Sequence, residues 1–203
     1  MYNKWISNTS NNEEFMFANL AIKNIEFALI SIEHIFNAQI DYKLYKDDYT
    51  YYFYYLQNLL TACGSITDIF YNNIWIAGKN NKRSPKQRSQ HLRAVFGIDM
   101  RMFPLVFTKE ARNTNTHSDE RYEEHCFNVG DYNIIDEYTP EKMKNAILNT
   151  PHLRTYDKAN RVYITQGRSG NIIKLPLEQL RQELVAMKNI IETNEIYKNM
   201  QWQ

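Results

Sequence analysis

Apolar residues recur at steps of three and four along two long stretches in the first third of the chain. The first stretch contains Ala18, Ile22, Ile25, Leu29, Ile32 and Phe36, and the second contains Tyr52, Leu56, Leu59, Cys63, Ile66 and Phe70. This spacing predicts two amphipathic helices. Because only the short polar joint 41–49 separates them, we expect the two helices to form an antiparallel hairpin.

Local signals mark the limits of these helices. Ser10 and Glu13 form a capping-box pattern at the start of the first helix, and the second helix should end near Gly78. Gly64 interrupts the second pattern, which a helix tolerates where another helix approaches closely. The first helix has an unusually wide apolar face, which favours packing against more than one neighbour. The residues that widen it are Leu20, Phe27 and Ile30.

Shorter elements follow. The pair Ser84-Pro85 predicts the start of a short helix that ends at Gly97, and Pro104 predicts the opening of another. A further short helix is expected after Thr139-Pro140. Near the C-terminus, the segments 161–166 and 171–175 favour a β-hairpin. The closing amphipathic helix should carry Leu177, Leu180, Leu184, Met187 and Ile191 on one face.

These elements predict a mainly α protein. Its architecture should be a helical bundle with two long antiparallel helices, shorter helices, a small C-terminal β-hairpin and a closing helix. The 203 residues fit a single domain, 1–203. Within it we expect a bundle over 10–128 and a C-terminal appendage over 129–203.

The composition narrows the possible classes of protein. The formal net charge is +1, so no overall basic field indicates nucleic-acid binding, and a polyanion would need a local patch. The two cysteines are too few for a disulfide framework, and Cys63 is expected to be a buried thiol. Residues 1–12 lack the apolar centre of a signal peptide, and no apolar run approaches the roughly 18 residues of a membrane span. We therefore expect a cytoplasmic protein without a membrane partner.

Residues 112–121 contain no apolar side chain, and they include groups suited to phosphodiester chemistry. Arg112 is a permanently charged group that matches phosphate, and His117 titrates near neutral pH. Asn113 can orient either of them. On a regular helix Asn113, His117 and Arg121 share a face, whereas Arg112 lies roughly 140° from His117. A joint site therefore requires a distorted helix or an arginine from a second subunit.

These residues resemble the motif of the HEPN superfamily, in which an arginine, a polar residue and a histidine follow one another late in a helical bundle. The motif reads Arg-Asn-Thr-Asn-Thr-His from Arg112 to His117, and the continuation 117–121 is similar to that of small standalone members. Many members are metal-independent endoribonucleases of toxin–antitoxin and antiphage systems, with the arginine and histidine of two protomers at one dimer interface. The resemblance implies an RNA-cleaving homodimer without a cofactor, restrained in some systems by an antitoxin or regulatory protein. It assigns catalytic roles to Arg112 and His117, with Asn113 orienting them.

Other interpretations of the charged segments stay open. Lys82, Arg83 and Arg88 form part of a basic segment that is either an RNA-backbone contact or a solvated loop and helix start. Arg121 is either a further RNA contact or a salt-bridge residue. The acidic and histidine residues 117–125 have no second cluster to complete a metal site, and Arg121 among them repels a cation, which favours no metal. The alternative function is a non-catalytic helical binding or regulatory module that retains the HEPN-like fold.

Overall fold

A computed structural model describes residues 9–45, 47–74, 84–116, 154–166 and 171–201 of the chain. Within these residues the protein is mainly helical, with one small antiparallel sheet, as the hydrophobic pattern predicts. The predicted helix start at Thr139-Pro140 and the site residues His117, Arg121, Lys82 and Arg83 lie outside the described residues.

The two long helices are present and form the predicted hairpin. Helix α1 spans Thr9–Phe36 and helix α2 spans Asp48–Phe70. The expected capping-box serine lies inside α1, which begins one residue before it. The Asp47 carboxylate caps α2 by accepting a hydrogen bond from the Thr50 amide at 2.7 Å. The predicted end of α2 near Gly78 is wrong, because the helix already ends at Phe70. Just beyond it, the Asn72 side chain accepts a hydrogen bond from the Ile74 amide at 2.9 Å, a local bond that competes with helix continuation.

Helix α3, Pro85–Phe96, begins and ends at the predicted residues. Ser84 and Gln87 form a reciprocal capping box, and Gly97 closes the helix with a left-handed φ of 67°. A 3₁₀ turn over Met100–Met102 follows, and helix α4 covers Lys109–Thr116. The prediction that Pro104 opens this helix is wrong, because residues 104–107 form a turn whose amides bond to a side chain from another element.

The C-terminal sheet has three strands rather than the two that the sequence predicts. Strands β1 (Arg154–Asp157), β2 (Val162–Gln166) and β3 (Ile172–Pro176) are antiparallel and follow chain order in the sheet. Tyr163 in the central strand is fully buried and pairs with Tyr156 on one side and Leu175 on the other. The sequence does not reveal β1, because this strand is only four residues long and has charged residues at both ends.

Helix α5 spans Leu177–Thr193 and starts at the end of β3, and helix α6 covers Glu195–Gln201. The predicted apolar stripe of α5 is completely buried. It packs against α1, and two ion pairs join the helices, from Lys188 to Glu26 at 2.7 Å and from Arg181 to Glu33 at 3.0 Å. The closing helix therefore shares one hydrophobic core with the N-terminal hairpin.

Helix α1 is long and apolar as well as amphipathic. Among the described helices, only α1 has a segment, Asn12–Phe36, whose length and mean hydropathy of 1.4 meet the criteria for a membrane span. The expectation that no run approaches this length is therefore wrong. Part of this segment is core, since Ala18, Ala21, Ile25 and Ile32 are fully buried against the rest of the bundle.

Candidate functional site at Arg112

The predicted catalytic arginine lies where α4 packs against α2. Ala111, its neighbour in the chain, is fully buried, while the Arg112 side chain is 25% exposed and Asn113 is half-buried. Arg112 Nη1 donates to the Gly64 carbonyl at 3.2 Å and lies 3.4 Å from Asp68 Oδ1. The guanidinium is thus held at the protein surface by a backbone oxygen and an exposed carboxylate.

Gly64 permits this close approach. A β-carbon built on Gly64 would lie 2.5 Å from Arg112 Cδ, inside any van der Waals distance. The condition under which the sequence tolerates a glycine here, a closely approaching helix, is met by α4, and the group that occupies the space is the Arg112 side chain. Glycine in a helix interior costs about 0.5–1 kcal/mol relative to alanine. In this protein the aliphatic part of Arg112 fills the space that a side chain on Gly64 would need.

A buried carboxylate fixes the turn that leads into α4. Glu183 of α5 accepts hydrogen bonds from the amides of Leu105 and Val106, at 2.9 and 3.1 Å. Burial raises the pKa of Glu183, and the two hydrogen bonds partly oppose this shift. On the other side, Thr67 Oγ1 of α2 donates to the Val106 carbonyl at 3.2 Å. Two helices therefore determine where α4 begins, and with it the position of Arg112.

Contacts with polar and aromatic groups hold the first turn of α4 in place. The Lys109 ammonium lies 4.1 Å from the centre of the Tyr71 ring, a cation–π contact. Asn171, just before β3, donates to Glu110 at 3.3 Å. Helix α4 also packs against β2 and β3. The candidate site is thus bounded by α2 on one side and by the C-terminal sheet on the other.

The basic residues proposed to bind RNA fall into two groups. Lys82, Arg83 and Arg121 lie outside the described residues. Arg88 is half-buried on α3, with its guanidinium 4.6 Å from the centre of the Phe17 ring on α1. This placement gives Arg88 a packing contact between two helices.

Among the described residues, no cysteine or histidine supplies an activated group beside Arg112. Cys63 is buried, as predicted, and burial raises the pKa of its thiol to about 12, which keeps it protonated. His34 stacks on Tyr55 at 4.4 Å, and His91 lies 2.5 Å from a Glu14 carboxylate oxygen. The described part of the chain contains no group of three histidine, cysteine or acidic residues placed to hold a metal ion.

Asp68 is the residue of this site that the sequence does not identify. Asp68 is an ordinary exposed position of α2, and nothing in the sequence around it marks it as the partner of an arginine. Gly64 gave a usable signal, because a glycine inside an otherwise regular helical pattern indicates a close approach.

No known protein family, curated protein or solved structure matches this chain.

Proposed function

We propose that this protein is a metal-independent endoribonuclease of the HEPN type, which cleaves RNA as a homodimer with Arg112, Asn113 and His117 in its site. The position of Arg112 carries this proposal. Its guanidinium is partly exposed and is held in place by Gly64 and Asp68. A planar cation held at the surface of a rigid helical hairpin suits the binding of a phosphate group.

The proposed reaction needs only proton transfer and charge stabilisation. The RNA 2′-hydroxyl oxygen attacks the adjacent phosphorus, and one histidine takes its proton as general base. The bond from phosphorus to the 5′-oxygen breaks, and a second histidine donates a proton to that oxygen. Arg112 binds the phosphate and stabilises the charge that develops on its oxygens. The products carry a 2′,3′-cyclic phosphate and a 5′-hydroxyl.

Helical geometry supports a site shared by two subunits. Helix α4 continues without interruption from Lys109 to Thr116, so the backbone after Arg112 is helical over more than one turn. On such a helix Arg112 points away from the face that Asn113 occupies, by about 100°. A distortion that would bring Arg112 and His117 of one chain together is therefore not found over 112–116. This favours a His117 supplied by the second subunit.

The cellular setting follows from the proposed chemistry. We propose that the enzyme acts in the cytoplasm, where an unrestrained RNA-cleaving activity would harm the cell that makes it. A role as a toxin or defence effector, with an antitoxin or regulatory protein as a partner, is part of the proposal. Lys82, Arg83 and Arg121 are its proposed contacts to the RNA backbone, and the half-buried Arg88 would act mainly by positioning α3.

The test is incubation of the purified protein with mixed RNA in excess chelator, followed by analysis of the new RNA ends. We expect cyclic phosphate ends, and a loss of cleavage in Arg112→Ala and in His117→Ala. Arg101→Ala is the matched control, since Arg101 is a highly exposed arginine paired with Asp99 on another surface. Cleavage by Arg112→Ala at the rate of the unmodified protein would contradict the assignment.

A non-catalytic helical binding or regulatory module is the second candidate. It is favoured by the contacts of Arg112 with Gly64 and Asp68, which a purely structural arginine would also make. This candidate predicts no loss of RNA in the same assay. It also predicts that Arg112→Ala changes thermal stability while RNA binding stays the same.

A further inference from the structure

The outer surface of α1 carries a second apolar stripe in addition to the buried one. Its members follow one another at steps of four, three, four, three and four, which is the spacing of a helix that packs along another helix. They are Met16, Leu20, Lys23, Phe27, Ile30 and His34. Met16 is 70% exposed, Phe27 59% and Ile30 54%, so the described bundle leaves this stripe uncovered. We propose that a second copy of this chain packs on this stripe, with the two α1 helices antiparallel.

The stripe continues into a groove between α1 and α2. This groove has a volume of 370 Å³, and no charged residue lines it. Two polar side chains of its lining bond to their own helix, since Asn24 donates to the Leu20 carbonyl at 2.8 Å and Ser31 to the Phe27 carbonyl at 2.9 Å. An uncharged surface with internally bonded polar groups suits another protein surface better than RNA or a small polar ligand.

The stripe is complementary to itself under a two-fold axis. If two α1 helices pack antiparallel about a point between Lys23 and Asn24, Leu20 of each copy faces Phe27 of the other. Met16 then faces Ile30. Each pair joins two apolar side chains. Lys23 lies beside the axis, and His34 at the end of the stripe lies opposite the acidic Glu13 of the other copy. A closed two-fold dimer is the commonest symmetric assembly, and it requires this kind of self-matching surface.

The exposed area corresponds to a small dimer interface. A large side chain has an area of about 150–250 Å², so the four apolar members of the stripe and the half-exposed Tyr54 present on the order of 500 Å². The groove lining adds a smaller area, and the total stays below the roughly 800 Å² that each partner buries in a standard interface. An apolar patch of this size is at the upper end of what a monomer exposes, and such patches are often functional.

The centre of the stripe lies level with the Arg112 site. Tyr51 donates to the His34 carbonyl at 3.1 Å, and the His34 ring stacks on Tyr55, which fixes the register of α1 against α2. The two helices are antiparallel and rise equally per residue. Asn24 lies ten residues before His34 on α1, so its neighbours on α2 lie ten residues after Tyr51 and Tyr55. These neighbours are residues 61–65, which include Gly64. The two Arg112 side chains of such a dimer would lie at the height of its axis.

This inference deepens the proposed function, because the role of the dimer in cleavage rests on that proposal. The association of two chains can still be measured without RNA. A protein that dimerises through α1 but leaves RNA intact would contradict the nuclease proposal alone.

Sedimentation equilibrium of the full chain over a micromolar concentration series tests the surface. We expect a dimer, and at least about 100-fold weaker association in Phe27→Asp, because each dimer then buries two carboxylates in apolar surroundings. Ile172→Asp is the matched control, since Ile172 is 71% exposed on β3, away from the stripe. A monomer throughout the series, or an undiminished dimer in Phe27→Asp with a normal circular dichroism spectrum, would overturn the proposal.

Cross-linking tests the antiparallel arrangement independently. In a Cys126→Ser background, Lys23→Cys should cross-link to itself through a short bis-maleimide, because residue 23 lies beside the axis. Met16→Cys should not, since its two copies would lie roughly 22 Å apart along the helices. The reverse pattern would overturn the arrangement. Flotation of a monomeric protein with phosphatidylglycerol vesicles would also overturn the proposal and assign the stripe to a membrane.

Discussion

Arg112 and Gly64 are in direct contact, so that the arginine's Cδ occupies the position that any larger side chain on residue 64 would need. The same glycine accepts a hydrogen bond from the guanidinium through its carbonyl. One residue of α2 therefore both makes room for Arg112 and orients it. This pair makes the placement of the candidate phosphate-binding group testable through a residue that carries no chemistry of its own.

Gly64→Ala should displace Arg112 and reduce RNA cleavage by about 10- to 100-fold, because misplacing a catalytic group by about 1 Å has effects of this size. Its effect on stability should depend on the arginine. In the unmodified background the clash lowers the free energy of unfolding, whereas in Arg112→Ala the same substitution should raise it by about 0.5–1 kcal/mol. Urea denaturation of the four proteins of this double-mutant cycle measures both values.

Ser65→Ala is the control for that cycle. Its hydroxyl donates to the Thr61 carbonyl of its own helix at 3.3 Å and does not contact Arg112. We expect cleavage within about twofold of the unmodified protein and a change in unfolding free energy below about 0.5 kcal/mol. A destabilisation by Gly64→Ala that is equal with and without Arg112 would contradict the contact.

Asp68→Asn should strengthen RNA binding. The Asp68 carboxylate lies 3.4 Å from Arg112 Nη1 and competes with a phosphate for the same cation. Removing its charge should lower the dissociation constant about three- to tenfold for a 2′-deoxy RNA analogue that cannot be cleaved, with a larger gain at low salt. Stability should change by less than about 1 kcal/mol, since exposed ion pairs contribute little. Filter binding at two salt concentrations measures the effect, and weaker binding would be the contrary result.

Glu183 should give the protein a specific pH dependence. Its pKa is raised in the folded state, so the folded protein binds this proton more readily than the unfolded chain does. The contribution of Glu183 to stability is therefore fully present below the ordinary glutamate pKa and is lost as pH rises through the raised value. Glu183→Gln removes this titration. Denaturation of both proteins from pH 7 down to pH 5 should show the unmodified protein gaining stability relative to Glu183→Gln as the pH falls.

Leu184→Ala should destabilise the whole bundle by about 2–5 kcal/mol, because Leu184 is fully buried in the core that α5 shares with α1. Val185→Ala is the matched control at the next position, where the side chain is 41% exposed, and it should change stability by less than about 1 kcal/mol. A single unfolding transition is expected in both variants. Two separate transitions, of which Leu184→Ala shifts the first and leaves the second unchanged, would indicate that the C-terminal segment unfolds separately.

The sequence predicts the elements whose signals are local. The stripes of α1, α2 and α5 and the caps at Ser84 and Gly97 follow from side chains within one or two turns, and each is present in the structure. Two of the failures involve distant partners. The turn at 104–107 depends on Glu183, nearly 80 residues away, and β1 depends on pairing with β2. Neither partner is visible in the local pattern.

The candidate site shows the same division. The residue types of the polar run make Arg112 a candidate phosphate ligand, but helical periodicity alone does not indicate which surface the arginine lies on. Its anchors, Gly64 and Asp68, come from a helix more than 40 residues earlier. The regular helix over 109–116 supports the expectation that a joint site needs a second subunit, and that expectation stays a prediction.

The packing of α5 against α1 has a consequence for how the protein is synthesised. Glu26 and Glu33 of α1 bond to Lys188 and Arg181, residues that leave the ribosome about 150 residues later. The nascent hairpin therefore emerges with its α5-facing side uncovered, and it cannot complete its core until most of the chain has been translated. The positioning of Arg112 also depends on Glu183 in the same helix, so a chain released early would lack a properly placed site.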